Sequence, residues 1–248
     1  MQDLLNQLEE LITNLSFRQQ KLLRNRLSNL TSVYPFNESE FIISHLLSLK
    51  TITLNDYILI RDEYIANNIY LHVFEISAPR KFGETWAQAQ IKTLAPELEK
   101  PTKKLDNIYS GEYDFFYTNL DKGPIKIEVK ASRAVSFKGE EPLYVRALAS
   151  DSTMKFDMNF QQIKTKCCDV FVWVGVWRDV VKYWVLSSNE VATSKYYSKG
   201  QHRGNTGEGQ LHLTNDNMLE FIKFESKPNE LLEKIIGAAK RNLNQKNI

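Results

Sequence analysis

Apolar positions along this chain fall into two regimes. In the first 67 residues they recur at helical spacing. Leu4, Leu8, Leu11 and Leu15 form one stripe, with Asp3 near its start, and predict a helix over 3–15. Ser16 is placed to cap a second helix over 17–29, with Leu22, Leu23 and Leu27 on one side and Arg18, Lys21 and Arg24 on the other. That basic side reads as a solvated face, with phosphate contact as the alternative. Asn37-Glu-Ser-Glu opens a third helix ending near 49, and Thr53 or Asn55 caps a fourth ending near 67. Residues 1–70 thus read as a helical region, and residues 71–248 as a core of different character.

In that core the period shortens. Ile69-Tyr-Leu-His-Val-Phe-Glu-Ile is a short β-rich run, closed by Ala78-Pro-Arg-Lys-Phe-Gly. A helix over 84–94 follows, with Trp86 and Ile91 as core positions, then a polar loop over 96–104 and a first strand over 105–109. Tyr113, Phe115 and Tyr117 alternate with Asp114, Phe116 and Thr118, and Ile125, Ile127 and Val129 alternate with Lys126, Glu128 and Lys130. Both runs predict strands of a substantial sheet, joined by a turn at 121–124. Residues 138–142 read as a loop, and 159–166 as a helix carrying Gln161, Gln162, Lys164 and Lys166. Val170-Phe-Val-Trp-Val-Gly-Val-Trp is the continuous apolar run of a strand buried on both faces, with 180–187 as its hairpin partner. An amphipathic helix over 229–244 either caps the domain or pairs with a second subunit.

Composition removes several classes of function. The 248 residues are 42% hydrophobic and 11% aromatic, which suits a packed core, and no apolar run approaches a membrane span. The first residues lack the basic and apolar regions of a secretory signal. Cys167 and Cys168 are the only cysteines, and adjacent cysteines rarely bridge each other, so a reducing cytoplasm is the expected location. Packing is their expected role. The four histidines and two cysteines match no standard zinc spacing. A net charge of +2 argues against a histone-like or coat-protein role and leaves any polyanion contact to local patches.

The chemistry concentrates between 111 and 130. Glu128 and Lys130 are two apart on one strand and project to one face. The preceding turn folds Asp114 back beside them. Two converging carboxylates make a hard oxygen site for a divalent cation such as Mg²⁺, and a nearby lysine can hold an attacking water or steady charge on a phosphate. The bland alternative is a surface hairpin with a weak cross-strand ion pair. An acid on the aromatic Phe116 face of a large sheet argues against it.

This spacing resembles the PD-(D/E)xK nucleases, and the order of elements over residues 82–187 resembles their αβββαβ core. The resemblance implies an α/β fold with a mixed central sheet flanked by helices, behind an N-terminal helical region. Of the nucleases it is most similar to the type II restriction endonucleases. That likeness implies Mg²⁺-dependent, site-specific hydrolysis of double-stranded DNA to 5′-phosphate ends by a homodimer. Asp114 and Glu128 would then ligate the metal and Lys130 would orient the water. Glu84, on the helix before the hairpin, is a further candidate acid, or a first-turn glutamate favoured by the helix dipole. Tyr113 stands where the family name has proline. Ser132 and Arg133 continue the strand toward phosphate. Between 196 and 211 lie four of the ten glycines, interleaved with Lys199, Gln201, His202, Arg203 and Asn205. Arg, Asn and Gln match base edges, so this segment is the expected recognition loop. The alternatives are a structure-specific repair or recombination nuclease of the same fold and a DNA-binding module whose site is unused.

Overall fold

The computed structural model describes residues 9–27, 35–119, 123–137, 140–200 and 207–246. Near the N-terminus, helices α1 (Phe17–Leu27), α2 (Pro35–Ser48) and α3 (Leu54–Asn67) stand where the helical period puts them. Ser16 and Gln19 cap each other at the start of α1, the Ser16 amide donating to Gln19 Oε1 at 3.0 Å. Thr53, rather than Asn55, caps α3: its hydroxyl accepts from the Asp56 amide while Asp56 accepts from the Thr53 amide. Ile12, Leu15, Leu23, Leu46 and Ile52 form an apolar cluster of their own. Leu22, expected beside Leu23, is exposed.

The β-rich run over 69–76 is a 3-10 helix, Leu71–Glu75, and not a strand. Leu71, Val73 and Phe74 are all buried, a spacing that no single strand face supplies. A π-helical segment, Lys81–Ala87, then runs into α4 (Gln88–Leu94). Residues 105–109 are a turn rather than a strand. Asp106 fastens them, its carboxylate accepting from Tyr113 Oη at 2.7 Å and pairing with Lys126 Nζ at 2.6 Å.

The strands follow as β1 (Phe115–Asn119), β2 (Gly123–Arg133), β3 (Val135–Ser136), β4 (Phe156–Ile163), β5 (Val170–Val176), β6 (Val181–Ser187), β7 (Tyr197–Lys199), β8 (Gly209–Thr214) and β9 (Glu225–Ser226). They form two sheets, β1-β2-β5-β6-β9 and β3-β4-β8-β7. The first is mixed, because β2 and β5 run parallel while its other pairs are antiparallel. Residues 159–166, expected as a helix, lie largely in β4, the long strand of the second sheet. Phe156, Met158 and Phe160 point inward at strand period. Phe160 and Ile163 stand three apart, a helical spacing, yet both are buried on the strand.

The mixed sheet has helices on one face and the second sheet on the other. On β5, Val170, Val172, Val174 and Val176 meet Ile91, Leu231 and Ile235. Phe171 and Trp173 meet Phe160 and Leu213, and the Trp173 and Phe160 rings stack at 4.8 Å. This double cover is why β5 is apolar throughout. The C-terminal helix α5 (Leu231–Lys246) lays Leu231, Ile235 and Ala238 on its own sheet. Arg241 anchors its far end, with Nε 2.7 Å from Glu190 Oε1. Burial raises the Glu190 carboxyl, but hydrogen bonds from Arg241 and Ser187 outweigh it and hold the group below its ordinary value.

Gly175 lets the two sheets close up. A Cβ there would stand 2.6 Å from Trp184 Cζ3 and 3.0 Å from Met158 Sδ. Gly175→Ala should therefore cost about 1–3 kcal/mol through overpacking. Thermal melting would show this as a drop of several degrees, and an unchanged midpoint would mean that the sheets move apart without penalty.

Candidate active site

The register of the β1–β2 hairpin builds the site. Phe115 pairs with Ile127, and the Asp114 amide makes one more ladder bond, to Ile127 O at 2.9 Å. Asp114 therefore stands opposite Glu128. Beyond that point its side chain replaces the backbone, with Oδ2 accepting from the Val129 amide at 2.8 Å. The other oxygen, Oδ1, accepts from Gln88 Nε2 at 2.5 Å. Glu128 and Lys130 share a face of β2 and pair directly, with Nζ 2.7 Å from Oε1. The three residues between Asn119 and Gly123 lie outside the described ones.

Burial sets the electrostatics. It pushes the Asp114 carboxyl above its ordinary value, against the Val129 amide and the charges of Lys130 and Lys100. Glu128 is pushed up to about 7, first by burial and then by the Asp114 charge, with Lys130 opposing. Two half-enclosed carboxylates thus face each other with too little positive charge between them. Desolvation and like charge both disfavour the doubly ionised pair. Such a donor set fits a hard divalent cation. Among the described residues no three His, Cys, Asp or Glu side chains are grouped to hold a metal ion. Mg²⁺ does not require such a group, since it commonly takes one or two carboxylates and completes its shell with waters and substrate phosphate. Asp114 and Glu128 are the residues that would hold it.

These groups line a cleft of ≈ 1180 Å³. Glu84 lines it too, on the π-helical segment rather than in the first turn of a regular helix, exposed and 4.0 Å from Arg80. Ser132 is buried on the cleft wall. Arg133 is held inside the fold: its Nη1 donates to the carbonyls of Val73 and Ile76, and its guanidinium lies over the Phe82 ring. Burial pulls it down to about 10. Lys199 is exposed at the end of β7, away from the cleft lining. Gln201, His202, Arg203 and Asn205 lie outside the described residues.

Two side chains at the site had no role in the sequence reading. Gln88 is buried and bridges Asp114 to Lys100, which donates to its Oε1. The signal was present, because Gln88 stands four residues after Glu84 in the same helical run. The π turn carries it there, since the Gln88 amide reaches back to Gly83 O as well as Thr85 O. Lys100 had no local signal. It arrives because Glu99 bridges the outer edge of β1 at Phe116. Burial lowers the Lys100 ammonium, and the charges of Asp114 and Glu84 raise it in part.

No family model and no curated protein matches this chain. Among solved structures it is similar to a bacterial homing endonuclease, I-Ssp6803I, at 16% identity, covering 67% of this chain and 99% of that one, with a TM-score of 0.35. At that identity and score the likeness carries no argument about chemistry. Among the described residues no helix is long and apolar enough to cross a membrane.

Proposed function

We propose that this chain is a Mg²⁺-dependent double-stranded DNA endonuclease of the type II restriction kind, built on a PD-(D/E)xK-like core. The observation that carries the reading is the convergence of Asp114, Glu128 and Lys130 in one cleft, with Asp114 opposite Glu128 across a hairpin. The cleft is larger than the ~300–1,000 Å³ of ordinary small-ligand pockets. Its charged lining consists of Glu84, Glu112, Asp114, Glu128, Asp157 and Glu208 against Arg80, Lys130, Arg133, Arg146 and Lys164. A phosphodiester would meet repulsion at Asp114 and Glu128 wherever these are ionised. A bound divalent cation would reverse that sign and polarise the phosphoryl oxygen.

The chain's own residues supply the rest. Asp114 and Glu128 hold the cation, and Gln88 with the Val129 amide fixes the Asp114 carboxylate. Lys130 orients the attacking water and steadies charge developing on phosphate. Water adds to phosphorus, the bond to O3′ breaks, and a 5′-phosphate and a 3′-hydroxyl remain. A homodimer presenting two such clefts would cut both strands. Incubation with supercoiled plasmid and Mg²⁺ should give discrete linear fragments with 5′-phosphate ends, and none in EDTA. Cleavage only of branched or damaged DNA would favour the repair-nuclease alternative. No hydrolysis of any DNA in Mg²⁺ or Mn²⁺ would overturn the reading.

A further inference from the structure

The second sheet contributes a polar wall to the same cleft, and a break in its ladder shapes that wall. Phe160 pairs with Leu211 and Ile163 with Gly209, so Gln161 and Gln162 oppose the single residue Gln210. This is a β-bulge. It keeps Phe160 and Ile163 both buried despite their odd spacing, and leaves both glutamines exposed. Gln162 takes φ 56°, a left-handed value that side chains other than glycine seldom adopt. Bulges beside active sites commonly re-aim side chains.

The amides in this wall are under-used. Gln161 and Gln162 line the cleft and, among the described residues, neither side chain has a hydrogen-bond partner. Asn159 donates to Gln210 Oε1 at 3.3 Å, but its own Oδ1 is buried with no partner. Asn159 is thus enclosed beneath the wall, while the two glutamine amides stand open on it. Asn and Gln carry a donor and an acceptor side by side, which matches the N6 and N7 edge of adenine in the major groove. Lys164, exposed at the end of the same wall, pairs with Glu208 at 3.2 Å.

We propose that Gln161 and Gln162 read adenine in the major groove of a DNA duplex held in the cleft. The inference rests on the endonuclease reading and names its specificity-determining face. Its test is selection from a pool of 40-base-pair duplexes with randomised centres, in Ca²⁺, followed by sequencing of the retained molecules. Wild-type protein should enrich a motif containing adenine. Gln161→Ala, at an exposed position, and Gln162→Gly, which suits the left-handed backbone, should both fold. Each should relax the preference at one or two positions by about ten-fold or more, with retention of the unselected pool unchanged within about two-fold. An unchanged motif, or equal weakening on every sequence, would overturn the inference and leave the nuclease reading standing. A wild-type protein that cleaves plasmid but enriches no motif would overturn it together with the site-specific part of the endonuclease reading, leaving a nuclease without sequence preference. Failure of the wild type both to retain and to cleave duplex DNA would remove the endonuclease reading, and this inference with it.

Discussion

Asp114→Asn should abolish cleavage while leaving the protein folded. Asparagine keeps an oxygen to accept from the Val129 amide, so the edge of β2 does not acquire an orphan donor. The change removes one of two carboxylates that would hold the cation and leaves the shape of the site nearly untouched. Loss of a single charge-stabilising group typically costs ~10²–10³ in rate, and loss of a ligand should cost at least that. Thermal stability should change little, because relief of like charge beside Glu128 offsets the donor-to-donor contact that the new Nδ2 makes with Gln88 Nε2. DNA retention in Ca²⁺ should survive at comparable strength, since the repulsion between Asp114 and phosphate is also gone. Single-turnover cleavage and a melting curve on the same preparation decide the matter. Full activity of Asp114→Asn at equal Mg²⁺ would remove Asp114 from the site.

The hairpin was legible because it is local. Alternation in 113–118 and 125–130 fixes the face of each residue, and a short turn fixes which residue opposes which. The doubly buried strand β5 was equally plain, since a run such as Val-Phe-Val-Trp-Val has nowhere wet to go. The helix carrying Glu84 was placed, but its π turn was not, because no spacing of apolar residues distinguishes a π turn from an α turn. Lys100 and Gln88 show the limit from the other side. Their meeting with Asp114 depends on Glu99 pairing at an edge and on one widened helical turn, and neither is written in the composition of those segments.

The second sheet was missed for a single physical reason. A bulge lets β4 skip a residue, so Phe160 and Ile163 fall three apart like neighbours on a helix, and the two intervening glutamines look like the polar side of one. The strand signal lay just upstream, in Phe156, Met158 and Phe160. The glycine-rich stretch between β7 and β8, expected as the recognition loop, lies largely outside the described residues, and a polar wall on β4 lines the cleft.

Lys130→Ala should reduce turnover by ~10²–10³, corresponding to ~3–4 kcal/mol of transition-state stabilisation. Alternation alone suggests a lysine facing a wet cleft, with little to contribute to stability. The structure encloses it: the Lys130 side chain is 16% exposed and that of its partner Glu128 is 13% exposed, at 2.7 Å. Removing one member of a buried pair costs up to ~3–5 kcal/mol when the other stays charged. Glu128 already titrates near 7, so it can take up a proton instead, and the loss should be smaller, about 1–3 kcal/mol. A chain of this size should then melt several degrees lower. Lys130→Arg separates the two roles. It keeps a cation beside Glu128 and should restore most of the stability, while the bulkier, planar guanidinium should leave turnover well below wild type. The comparison needs melting midpoints and single-turnover rates for both variants at saturating Mg²⁺. Near-normal turnover in Lys130→Ala, together with a large loss of stability, would make Lys130 a structural partner of Glu128 and nothing more.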